Sequence, residues 1–183
     1  MRSLTFPVLG YTICPMMKRL VLVVLSACLL LVFSGCHTIP PRESDSNLIF
    51  KYGVGAKNEL NTSDGTYTKD MVQDPSITVN LSLSEEELAS IYQKMMDIDF
   101  FDYPDSFSIV PPPGESRGIV TPYNSYYFKV QHDSGIKELW WEDEIVYEDM
   151  KADKLRELIK LILDIIESKE EYRQLPEPTS GYM

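Results

Sequence analysis

At Leu83-Ser84 the hydrophobic period of this chain changes from two residues to about 3.6, and that change commits it to a mixed fold. Ile77, Val79, Leu81 and Leu83 alternate with Thr78, Asn80 and Ser82, as in a strand with one buried and one wet face. Ser84-Glu85-Glu86-Glu87 follows at once and reads as a capping box. The Ser84 hydroxyl accepts from the Glu87 backbone N–H, the Glu87 carboxylate accepts from the Ser84 N–H, and Leu83 and Leu88 form the hydrophobic staple. Leu88, Ile91, Tyr92, Met95 and Met96 then fall at i, i+3, i+4, i+7 and i+8, which places one apolar stripe of a helix against a core.

The flanking sequence extends both patterns. Leu48 to Ala56 is apolar, with Gly53 and Gly55 interrupting it, and Asp64-Gly65 separates two β-favouring runs, which signals a hairpin. Phe100, Phe101, Tyr103 and Phe107 are candidate core plugs. From Pro104 to Pro122 the chain holds five prolines and two glycines without periodicity, so a long loop that moves or meets a partner is expected. Tyr126 to Gln131 and Ile136 to Trp141 read as strands joined by His132-Asp133-Ser134-Gly135. A three-residue hairpin loop pairs Phe128 with Trp140 and Tyr127 with Trp141. The face with Phe128, Val130, Ile136 and Trp140 is then the core face. Its opposite carries Lys129, Gln131, Lys137, Leu139, Tyr127 and an exposed Trp141.

Lys151 to Lys169 is helical, with Leu155, Leu158, Ile159, Ile162, Ile165 and Ile166 in one stripe. Pro176 and Pro178 stop any continuation, so residues 176–183 are expected to be a disordered tail. The expectation is one α+β domain over residues 48–175, with an antiparallel sheet of about five strands and two helices, in the order strands, helix, hairpin, helix.

Ahead of this domain, Met17-Lys18-Arg19 precedes an apolar run of 14 residues from Leu20 to Phe33. That is a secretory signal pattern, too short for the 18 or more residues of a spanning helix. Residues 1–16 lie outside the pattern, so translation is expected to start at Met16 or Met17. Phe33-Ser34-Gly35-Cys36 resembles the bacterial lipobox, which implies a signal peptide over residues 1–36 and a diacylglycerol on the Cys36 thiol. Leu25-Ser26-Ala27-Cys28 fits the residue types too, but cleavage there would strand the apolar Leu29 to Phe33 on the product. Residues 37–47, polar with two prolines, form a tether whose coil dimension is about 20 Å.

All three cysteines, Cys14, Cys28 and Cys36, lie at or before that cleavage point, so a core rather than disulfides must hold the domain. Without Arg2, Lys18 and Arg19 the 17 basic residues fall to 14 against 28 acidic ones, a formal charge of −14. Such a balance repels nucleic acid phosphates.

Candidate chemistry is sparse. His132 is the one histidine beyond the tether, which excludes multi-histidine metal sites. In His132-Asp133-Ser134 the side chains of a tight turn diverge, whereas a triad needs its base between the other two groups. Glu142, Asp143, Glu144, Glu148 and Asp149 offer oxygen ligands without the spacing of a calcium loop, and suit the N-terminal end of the following helix. No phosphate-binding glycine loop or zinc spacing occurs, so no cofactor is expected. Tyr127 and Trp141, with Tyr123 at the exit of the long loop, are the candidate partner-binding residues, since exposed aromatics often anchor partners. Packing of Tyr172 and Leu175 over that face is the competing reading.

The runs Tyr52-Gly53-Val54-Gly55-Ala56-Lys57-Asn58, Gly65-Thr66-Tyr67-Thr68-Lys69-Asp70, Leu83-Ser84-Glu85-Glu86-Glu87-Leu88, Ile91-Tyr92-Gln93-Lys94-Met95 and Phe100-Phe101-Asp102-Tyr103-Pro104 resemble lipoproteins of Bacillus-type Firmicutes that carry no assigned activity. The resemblance implies a single domain, lipid-anchored in the outer leaflet of a Gram-positive cytoplasmic membrane and facing outside, and transfers no site residue. The expected function is a non-catalytic binding domain for a protein or another cell-envelope component. The alternatives are a carboxylate-based hydrolase and a calcium-dependent adhesion or sensing domain.

Overall fold

A computed structural model describes residues 47–132 and 135–183. The expected signal peptide over residues 1–36 with Cys36, almost all of the expected tether, and the turn residues Asp133 and Ser134 lie outside the described residues. The fold is α+β, as the change of period requires. Strands β1 (Leu48–Tyr52), β2 (Asn58–Asn61), β3 (Thr66–Met71) and β4 (Asp74–Asn80) precede helix α1 (Glu85–Asp97) and a 3-10 turn at Phe100–Asp102. Short strands β5 (Ser106–Phe107) and β6 (Gly118–Ile119) follow. Then come β7 (Ser125–His132), β8 (Gly135–Glu142), β9 (Ile145–Val146), α2 (Met150–Ser168) and α3 (Glu170–Arg173).

Seven strands form one sheet in the order β4-β3-β2-β1-β7-β8-β5, antiparallel except for the parallel pair β5–β8; β6 and β9 pair separately. The sheet therefore has two strands more than expected, and α3 is an additional helix.

Alternation along each strand explains the layering. Leu48 and Phe50, Leu60, Tyr67, Phe128 and Val130, and Leu139 and Trp141 are buried in one cluster with Ile91 and Met95 of α1 and Leu155, Leu158, Ile159, Ile162 and Ile166 of α2. One sheet face is thus covered by the helices, each large apolar side chain there contributing about 1.5–3 kcal/mol. The capping box forms as expected: the Glu87 N–H donates to the Ser84 hydroxyl at 3.2 Å and the Ser84 N–H to the Glu87 carboxylate at 2.7 Å. The Asp64-Gly65 hairpin also forms, pairing Asn61 with Thr66. Gly65 takes φ +62, and a Cβ there would lie 2.9 Å from the Ser82 hydroxyl.

Three expectations need correction. In the β7–β8 hairpin His132 pairs with Gly135, Phe128 with Leu139, Tyr127 with Trp140 and Tyr126 with Trp141. The loop is one residue shorter than expected, and a slip of one residue moves every side chain of β8 to the other face. Trp141 is therefore 0% exposed, whereas Ile136 is 64% and Trp140 37% exposed. Lys137, turned to the inner side, is accommodated because its ammonium donates to the Tyr103 carbonyl at 2.5 Å and to Asp105 at 2.7 Å.

The segment from Pro104 to Pro122 is not one continuous loop. Phe107 and Ile109 are buried in the core, β5 pairs with β8, and β6 pairs with β9. Residues 112–117 remain exposed.

Residues 176–183 are tied down rather than disordered. Glu177 pairs at 3.1 Å with Lys69, whose side chain is only 7% exposed. The Thr179 hydroxyl donates to Asp74 at 2.8 Å, the Tyr182 hydroxyl donates to Asp70, and Lys57 donates to the Tyr182 hydroxyl at 2.9 Å. Asp70 and Asp74 flank the β3–β4 turn, where Val72 has φ 64, a conformation β-branched residues rarely adopt. The Asp70 carboxylate accepts from the Val72 N–H at 3.2 Å, so the tail and the turn are held by the same group. Upstream of this clasp, Tyr172 packs edge-on to Tyr67 at 5.5 Å, on the helix-covered face and not over Tyr127.

Candidate functional site

Because both long helices pack on one side of the sheet, the alternate residues of every strand face outward. Strand register places Thr68, Glu59, Lys51, Tyr127 and Trp140 in one row across β3, β2, β1, β7 and β8. Tyr127 and Trp140 meet in that row with ring centroids 6.4 Å apart and planes tilted by 49°. Two residues along, Ile49, Lys129 and Glu138 form the next row.

Two ion pairs cross this face. Lys51 pairs with Glu59 at 2.9 Å and Lys129 with Glu138 at 3.5 Å. Burial pushes the Tyr127 phenol above its ordinary value, and the neighbouring Glu138 carboxylate adds to the effect. Tyr127 is therefore a neutral hydroxyl over the physiological range. Beyond Lys129 lies a shallow hollow of ≈ 120 Å³ lined by Asn47, Ile49, Ser63, Lys129, Gln131 and Ile136. The Asn47 amide donates to the Gln131 side-chain carbonyl at 3.4 Å, which orients two amides at its rim.

The three candidate partner-binding residues are not brought together. Tyr127 lies on the open face. Trp141 is enclosed by Phe107 and Tyr126, each 5.5 Å away, with the Arg156 guanidinium 5.3 Å from its ring centre. Tyr123 is half-buried just before β7. The residue that does accompany Tyr127 is Trp140, which the expected register assigned to the core. The signal for it was the adjacent Trp141, since adjacent strand residues occupy opposite faces.

A second concavity, an open groove of ≈ 530 Å³, is lined by Val120, Asp143, Ile145, Val146, Tyr147 and Arg156, among others. Its polar groups are engaged with one another: Arg156 donates to Asp143 at 2.6 and 3.1 Å and to Asp153 at 2.8 Å. Hydrogen bonding to Asp143 holds the guanidinium pKa above its ordinary value, against the effect of burial.

The last member of the acidic run caps the following helix. Asp149 accepts from the Ala152 N–H at 2.9 Å and caps α2. Asp64 accepts from Asn61 at 2.9 Å in its turn. Among the described residues no three His, Cys, Asp or Glu side chains are grouped to hold a metal ion.

No protein-family model matches the chain, and no curated protein matches it.

Proposed function

We propose that this chain is a lipid-anchored, extracytoplasmic lipoprotein whose folded domain is a non-catalytic binding module, and that the open face of the sheet is its contact surface. The observation that carries the binding reading is the Tyr127–Trp140 pair, two large rings side by side on a face that no helix among the described residues covers. Large aromatics at such positions supply contact area at low conformational cost. The anchor rests on sequence: Lys18-Arg19, the apolar run, Cys36 after small residues, and the resemblance to lipoproteins of Bacillus-type Firmicutes. Two acyl chains retain a protein at a bilayer where one gives only marginal binding. Among the described residues no helix is long and apolar enough to cross a membrane.

Two measurements test the proposal. Cell fractionation should find the wild type with membranes and Cys36→Ala released or left as an uncleaved precursor; lipid on Cys28, or an unmodified N-terminus, overturns the anchor. A photo-crosslinking residue at position 140 should capture a defined envelope component in intact cells, while one at the exposed Arg173 should not. Equal capture at both positions, or none at 140, overturns the contact surface.

A further inference from the structure

The chemistry of the open face specifies its ligand more closely than a binding reading alone. We infer that it binds a glycan strand of uncharged pyranose units. The inference rests on the proposal that this face is the contact surface.

Three features support it. Tyr127 and Trp140, both partly exposed, carry the negative lobe of the aromatic quadrupole on their ring faces, which attracts the weakly positive C–H groups of a pyranose face. Around them hydrogen-bonding groups stand beside the aliphatic Ile49 and Ile136: Thr68 beside Thr78 at 2.8 Å, the Lys51–Glu59 and Lys129–Glu138 pairs, and the amides of Asn47 and Gln131. From Tyr127 to Gln131 is four residues along β7, about 14 Å at strand rise. That length suits an extended oligosaccharide, with rings stacked at one end and its hydroxyl or acetamido groups met by amides at the hollow.

Charge separates this ligand from others. In a chain of formal net charge −11 Lys51 and Lys129 of this face are each paired with a carboxylate, and Glu142 beside Trp140 adds an exposed negative charge, so the face offers no free cation to an anionic ligand. A neutral polar ligand fits that balance. A protein partner would need a patch whose core is apolar and depleted of charge, and here the charged pairs stand within one residue row of the aromatic rings. A lipid surface would need basic or broadly apolar area.

The test uses the full-length chain in a zwitterionic detergent without sugar headgroups, titrated with chitohexaose and with cellohexaose while tryptophan fluorescence is followed. Trp140 is partly exposed and Trp141 is not, so ligand stacking should act on Trp140 emission. A saturable change with either oligosaccharide is expected. Trp140→Ala should weaken binding about tenfold or more, the loss typical of a truncated aromatic anchor, and Gln131→Ala should weaken it with an unchanged melting temperature. If Trp140→Ala fails to fold, amide chemical shifts of the wild type decide: perturbations confined to β1, β7 and β8 support the site, and perturbations elsewhere overturn it. No saturable change up to millimolar concentrations of either sugar overturns the glycan. If position 140 still captures an envelope component in cells, the binding module stands with a different ligand; if it captures none, both readings fall.

Discussion

Trp140 and Trp141 are neighbours in β8 on opposite faces of the sheet, and the arrangement divides the structural role from the candidate binding role between them. Trp141 is fully buried against Phe107, Tyr126 and the guanidinium of Arg156. Trp140 lies against Tyr127 with part of its ring in water. Trp141→Ala should cost about 3–5 kcal/mol, and Trp140→Ala only about 0.2–1 kcal/mol for the cross-strand pair it loses. Urea unfolding of the two variants measures the contrast. Equal losses would refute the assignment of faces.

The cap of α1 predicts a pH dependence. Burial alone would raise the Glu87 carboxyl, but the Lys169 ammonium 2.5 Å away and the Ser84 N–H outweigh it and hold the pKa below the ordinary value of 4.5. A carboxylate depressed in the folded state contributes stability above its unfolded pKa and loses it as pH falls through the folded one. The melting temperature of the wild type should therefore drop on acidification below about pH 4.5, and Glu87→Gln should flatten that part of the profile. A parallel profile would show that Glu87 titrates normally.

The C-terminal clasp should contribute measurably because of Lys69. Truncation after Leu175 removes Glu177, the carboxylate partner of an ammonium that is almost wholly enclosed, and an unpaired buried charge is costly. A loss of about 1–3 kcal/mol is expected. Lys69→Met in the truncated chain should recover part of it, whereas the same substitution in the intact chain should not stabilise. A truncated chain as stable as the wild type would mean the clasp adds nothing.

The proline-rich segment should divide at its buried end. Ile109→Ala should destabilise by about 2–5 kcal/mol, since Ile109 is a core residue. Deleting Pro111 to Ser116 should leave the melting temperature almost unchanged, because these residues are largely exposed and loop length enters closure entropy only logarithmically. A large loss from the deletion would show that the exposed stretch also holds the fold.

Local order was legible wherever it is set by neighbours in sequence. The alternation up to Leu83, the Ser84–Glu87 box, the Asp64-Gly65 turn and the stripe from Leu155 to Ile166 all depend on interactions within about one turn or one hairpin. The β7–β8 register was not legible. Both Trp140 and Trp141 are large enough to be core residues, and the deciding partners, the Tyr103 carbonyl and Asp105 for Lys137 and Arg156 for Trp141, are remote in sequence. Trp140, and with it the candidate face, was missed for that reason.

By itself, then, the sequence determined the α+β class, the start of α1, the bounds of α2 to within a residue and the apolar stripes that build the core, because backbone periodicity and capping are local. Tertiary structure alone decided which side of β8 faces the core, that Phe107 and Ile109 join it, and that the tail closes on Lys69, Asp70 and Asp74. Those outcomes turn on one-residue registers and on charges needing distant partners, and such choices are made only when separate elements pack together.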